Sequence, residues 1–67
     1  MERNVRLDWK SLVQEAVRRR KEQKLTQKQL AVLASLSGPT VNAFEQQKTS
    51  ISVESALKIL RCLGMAE

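Results

Sequence analysis

The stretch Thr26–Gln46, TQKQLAVLASLSGPTVNAFEQ, decides how this chain folds. Thr26 has the side chain of an N-cap, and Gln29 three residues on completes a capping box, each side chain serving the other's backbone N–H. Leu25 and Leu30 flank that cap at the spacing of a hydrophobic staple. The helix that follows carries Leu30, Ala31, Leu33 and Ala34 as one apolar side. Ser37 then caps another helix, and Leu36 and Val41 stand in the same staple relation across it. Pro39 falls in the first turn, where its missing N–H would have had no helical partner. Val41 and Phe44 point inward, while Gly38, Thr40, Asn42, Ala43 and Gln46 fall on or near the other side. The stretch reads as two short helices joined by a tight turn at Ser35 and Leu36. The second is held down by a few apolar residues and presents a small, uncharged polar face.

Working outward, the whole chain of 67 residues is one small domain. A chain this short buries only about 60% of its unfolded surface. Hydrophobic residues make up 42% against two Gly and one Pro, which favours an ordered, helix-rich fold over disorder. With one Phe and one Trp, the core is built mainly from Leu, Val, Ile and Ala. Twelve Lys and Arg against seven Asp and Glu leave a net charge of +5. That balance suits an anionic partner, nucleic acid or membrane surface, and equally suits a merely soluble surface.

The single cysteine, Cys62, permits no intrachain disulfide, and the absence of histidine removes a His-based metal site or general base. Cys62 reads as a small apolar helix residue, with a redox or intermolecular role as the alternative. No metal and no cofactor is expected. Nothing has the make-up of a signal peptide, and no apolar run approaches a membrane-spanning length, so the expected setting is a reducing cytoplasm.

Before the central stretch, residues 1–8 read as a flexible arm, polar and basic with Val5 and Leu7 isolated, and residues 9–67 as the folded domain. Such an arm can reach a DNA groove, and it can equally be a frayed terminus. Asp8 is a plausible N-cap, with Leu7 and Leu12 as its staple. Trp9, Leu12, Val13, Ala16 and Val17 follow at helical spacing. That helix is expected to run through Arg18-Arg19-Arg20-Lys21 and end near Lys24. Cations near a helix C-terminus complement its dipole by roughly 0.3–1 kcal/mol each, and they can also contact phosphate. After the central stretch, Gln47–Ile51 is a polar connection. Ser52 caps a last helix from Val53 to about Leu63, which Gly64 terminates. Its apolar positions, Val53, Ala56, Leu57, Ile59, Leu60, Cys62 and Leu63, form a band wider than one core-facing stripe. Ile59, Cys62 and Met65 are left over, either as a subunit interface or as a strip covered by the first helix. The expected architecture is all-α, a compact bundle of four to five helices.

Taken together, LTQKQLA, LSGPTVNAFEQ and SVESALKILRCLG resemble the lambda-repressor-like, or Xre/Cro, family of helix-turn-helix DNA-binding domains, over roughly Leu12–Met65. Phage repressors exemplify how such a motif docks on a duplex, and the resemblance implies a role for each of several residues. Gln27 matches the family's phosphate-contacting Gln, and Ala31 the small residue where the two motif helices cross. Val41 and Phe44 match the apolar pair beneath the recognition helix. Arg20 and Glu45 match a structural ion pair between the first helix and the end of the recognition helix. The base-reading positions are Gly38, Pro39, Asn42 and Ala43, with Gln46 toward the backbone. Gly38 and Pro39 have no side-chain donors, so Asn42 is the best candidate for readout, since its amide can pair bidentately with adenine. Ala43 can touch a thymine methyl. The chain departs from the family pattern in having Gln46-Gln47 where Asn-Gly is common, and Ile51 where Pro is frequent. Those departures leave open the shape of the turn and whether Lys48 and Thr49 reach a phosphate.

The function expected from this resemblance is sequence-specific binding of double-stranded DNA through the major groove, as a transcriptional regulator of the repressor kind. Gln27, Lys28, Ser37, Thr40, Gln46, Lys48 and part of the Arg18–Lys21 run position the domain on phosphates, and Asn42 with its neighbours specifies. A homodimer on DNA is expected. The alternative is an antitoxin or adaptor in which binding a toxin-like protein is the main role. No enzyme is expected, since the carboxylates are dispersed along helices and no His, Tyr or metal cluster accompanies them.

Overall fold

Four helices pack around one core in a computed structural model that describes residues 8–66: α1 (Trp9–Glu22), α2 (Gln27–Ala34), α3 (Gly38–Glu45) and α4 (Val53–Cys62). The arm expected over residues 1–8 lies, apart from Asp8, outside the described residues, as does the Leu7 half of the first staple. Each helix begins on the cap read from the sequence. The side chains of Asp8, Thr26, Ser37 and Ser52 accept from the backbone N–H three residues on, and the Thr26–Gln29 capping box closes in both directions. α1 ends at Glu22, slightly before Lys24.

The helix ends share one device. Leu25 N–H donates to Arg20 O, Leu36 to Ala31 O, Lys48 to Ala43 O and Met65 to Leu60 O, at 2.8–3.1 Å. The residue before each donor closes a shorter loop onto the carbonyl three residues back, and this pair of bonds is a Schellman termination. It requires a left-handed residue at the corner. Gly64 supplies one at φ 76°, but Lys24, Ser35 and Gln47 take it at 59°, 59° and 67°. Non-glycine residues pay a steric penalty there of about 1 kcal/mol or more. The turn after α3 therefore puts Gln47 in a left-handed corner where glycine would be favoured.

Val13 and Ala16 of α1, Leu30 and Ala31 of α2, Val41 and Phe44 of α3, and Ala56, Ile59 and Leu60 of α4 form the core together with Leu63. Two expectations are corrected. Leu33 does not belong to the buried side of α2: it is 60% exposed, as Val32 beside it is 72% exposed. At about 100° per residue, Leu33 lies roughly 100° from the centre of the stripe formed by Leu30, Ala31 and Ala34. An eight-residue helix lodged against α3 and α4 buries no wider arc. Ile59 is not left over on an outer strip but fully buried, because α4 is met by both α2 and α3. Cys62 and Met65 are half-buried against the same core. Besides Val32 and Leu33, apolar surface stays open in a groove between the start of α1 and α4, lined by Trp9, Leu12, Val53, Leu57 and Met65 among others. At its edge, the Trp9 ring stands edge-on to Phe44 at 5.5 Å.

Candidate nucleic-acid interface

The two motif helices converge through a partly buried polar junction. Arg20, late in α1, meets Glu45, the last residue of α3, in a two-pronged contact: Nε to Oε2 at 2.6 Å and Nη2 to Oε1 at 3.1 Å. Its remaining terminal nitrogen donates to Leu25 O at 2.6 Å. Side-chain exposure is 12% for Arg20 and 9% for Glu45, so the pair is largely shielded from water. Paired forks of this kind are the stronger class of ion pair. Glu45 Oε1 also accepts from Gln27 Nε2 at 2.8 Å. The first residue of α2 is thereby tied to the last residue of α3. One hydrogen of the Gln27 amide group is used inward, and the second stays available to an acceptor outside.

Beside this junction is a shallow hollow lined by Gln27, Lys28, Gly38, Pro39 and Asn42. It brings two of the residues matched to phosphate contact against three of those matched to base reading. Asn42, Pro39 and Lys28 are exposed, and Gln27 and Gly38 are half-buried. A Cβ built on Gly38 would meet no atom within 4 Å, so the bare backbone there is not forced by internal packing. Ala43 is half-buried, and Gln46 and Lys48 are exposed near the C-terminal end of α3, outside the hollow. Ser37 Oγ accepts from Thr40 N–H at 3.2 Å and shares a 2.8 Å hydrogen bond with Thr40 Oγ1. That contact uses one hydroxyl hydrogen of the two and leaves the other to donate outward at the start of α3.

Three of the four cations in the basic run of α1, expected in part to contact phosphate, are paired within the chain. Arg18 pairs with Glu15 at 2.6 Å and with Glu22, one turn to either side. Arg19 pairs with Glu15 at 2.9 Å and reaches the carbonyls of Leu63 and Gly64 at 3.3 Å each. Arg20 belongs to the Glu45 junction. Lys21 is the member of the run left exposed without a side-chain acceptor among the described residues. The two arginines hold the Glu15 carboxyl well below its ordinary 4.5, at about 2, the hydrogen bond from Arg18 contributing most. The same contact raises Arg18 above its usual value.

Among the contacts with no counterpart in the sequence reading, two bear on the motif. The Gln27–Glu45 bond joins residues 18 positions apart and carries no local signal. Trp9 Nε1 donates to Gln47 O at 3.2 Å, 38 positions away. An indole N–H on a core-facing Trp needs a partner, which flags that Trp9 bonds to something but not to what. Among the described residues there is no group of acidic, Cys or His side chains able to hold a metal, and no helix is long and apolar enough to cross a membrane.

Comparison with known proteins agrees with this geometry. A family model described as helix-turn-helix matches residues 18–66, well over half of the chain. No curated protein matches it.

Proposed function

The chain belongs to the lambda-repressor-like helix-turn-helix family of DNA-binding domains, and from that premise we propose that it is a sequence-specific transcriptional repressor acting through the major groove. The observation that carries the proposal is the hollow joining Gln27 and Lys28 of α2 to Gly38, Pro39 and Asn42 of α3. A phosphate at the α2 side would take the outward Gln27 hydrogen and the Lys28 ammonium, and α3 would then lie along base edges. Asn42 is the residue with a donor and an acceptor to read adenine. Gly38 lets the backbone approach closely, and Ala43 offers a methyl to thymine. Ser37 or Thr40 donates to a phosphate at one end of α3, and Gln46 and Lys48 do so at the other. Repression follows from occupying a promoter, with no chemistry on the DNA.

One such domain makes few base contacts, so useful affinity calls for two copies on half-sites about 34 Å apart. The test is selection from a random duplex library, followed by binding of the enriched site at several salt concentrations. A symmetric site with that spacing is expected. Asn42→Ala is expected to lower preference for it by about 1–3 kcal/mol while non-specific binding holds. Equal loss on every sequence removes Asn42 from base readout. Failure to enrich any duplex overturns the proposal.

A further inference from the structure

The turn that follows α3 is held from outside the motif. Gln47 sits in the left-handed region at φ 67°, where a side chain is disfavoured. Its N–H is bonded to Phe44 O at 2.9 Å, and the next N–H, of Lys48, to Ala43 O at 3.1 Å. Those two bonds set the direction in which Lys48 leaves the helix. The Gln47 carbonyl, which no helix bond uses, accepts from the Trp9 indole at 3.2 Å. The same ring rests edge-on against Phe44 at 5.5 Å, the fully buried anchor of α3. Trp9 thus grips the α3–α4 turn at two points, one apolar and one polar, from the first residue of α1.

We propose that Trp9 is a positioning residue for DNA binding: its indole N–H fixes the Gln47 corner so that Lys48 is presented to a phosphate beside the end of α3. The inference rests on the DNA-binding reading above. Lys48 is exposed and has no side-chain acceptor among the described residues, so its ammonium is available to an anion. Its stem is flexible, and what can be pre-set is its backbone. Without the indole bond, the strained Gln47 corner loses its restraint from outside the turn, and the two turn bonds open more often. Lys48 would then start from a spread of positions and lose part of its phosphate contact. The packing half of the grip stabilises the fold, whereas the hydrogen-bonding half orients the turn. The two are separable by chemistry.

The experiment replaces Trp9 with β-(3-benzothienyl)alanine, which keeps the shape of the ring system and puts sulfur where the N–H was. It is made in the wild-type chain and in Lys48→Ala, and binding to the selected duplex is followed across salt concentration. In the wild-type background the replacement is expected to weaken binding about fivefold, the order of one lost hydrogen bond. It should also make the salt slope shallower by up to about one counterion. In the Lys48→Ala background it should change neither quantity. Faster hydrogen exchange at the Lys48 amide, with the melting temperature nearly held, is the accompanying signature in the unbound chain. An equal loss with and without Lys48, or an unchanged affinity in both, overturns the positioning role and leaves the DNA-binding reading standing. A wild-type chain with no affinity for any duplex overturns both.

Discussion

Replacing Glu45 with alanine removes the acceptor of three hydrogen bonds at once, from Arg20 Nε, Arg20 Nη2 and Gln27 Nε2. The Arg20 side chain it leaves behind, 12% exposed with Glu45 in place, retains the Leu25 carbonyl as its acceptor. Breaking a fully buried pair from one side costs about 3–5 kcal/mol, chiefly because the surviving charge stays desolvated. The retained carbonyl and the partial water access reduce that here to about 2–4 kcal/mol. A domain of this size has a total stability of only about 3–10 kcal/mol. Each kcal/mol moves the midpoint of such a domain by about 4–8 °C, so a fall of roughly 8–32 °C is expected. Thermal unfolding followed by helical circular dichroism measures it. A second variant, Arg20→Met with Glu45→Leu, removes both charges together and is expected to recover most of the loss. If Glu45→Ala moves the midpoint by less than about 3 °C, the pair has the weight of a surface contact and the account of the junction fails.

Gln47→Gly relieves the left-handed corner after α3 and should raise stability by about 1 kcal/mol; a lower denaturation midpoint contradicts the strain assigned to Gln47. Gly38→Ala meets no internal atom within 4 Å, so it should leave stability unchanged or raise it by up to about 1 kcal/mol. The same change should weaken duplex binding by filling the space between α3 and the groove, and unchanged binding removes Gly38 from the contact surface. Lys28→Ala should weaken binding to all sequences alike and reduce the salt slope by about one counterion; an unaltered slope excludes a phosphate contact. Because Glu15 falls from 4.5 to about 2 on folding, its ionised form favours the native state above pH 4.5. That contribution fades as the pH drops through about 2. Glu15→Gln should therefore destabilise the chain at pH 7 and make little difference at the acid end, read from denaturation midpoints; equal effects at both ends refute the linkage.

Much of the fold was legible because its signals are local. Caps at Asp8, Thr26, Ser37 and Ser52 are short-range chemistry, and all four start helices where the sequence places them. The inward pair Val41 and Phe44 follows from helical period alone, and both are fully buried. What the sequence could not settle was which of two neighbouring apolar residues wins the core. Leu33 lost to Ala34, and Ile59 was drawn in, because those outcomes depend on how many helices press on each face. The engagement of Arg18 and Arg19 follows the same logic. Glu15 and Glu22 sit at neighbouring turns, and pairing within the helix answers charges that looked available to phosphate. At Gln46-Gln47 the Schellman bonds close with Gln47 in the left-handed corner that a glycine would favour, a conformation the side chains alone did not announce. The contacts from Gln27 to Glu45 and from Trp9 to Gln47 join distant segments, and only the packed bundle brings them together.

The Asn42 side of α3, joined to the start of α2, is the surface proposed to meet a duplex. Amide chemical-shift mapping of the chain titrated with its selected duplex tests it most directly. The expected result is a contiguous set of shifts at Gln27 and Lys28, from Ser37 to Ala43, and from Gln46 to Lys48, with the groove between α1 and α4 left quiet. Shifts gathered instead around Leu12, Leu57 and Met65, with Asn42 unmoved, would place the nucleic acid on a different face and contradict the account.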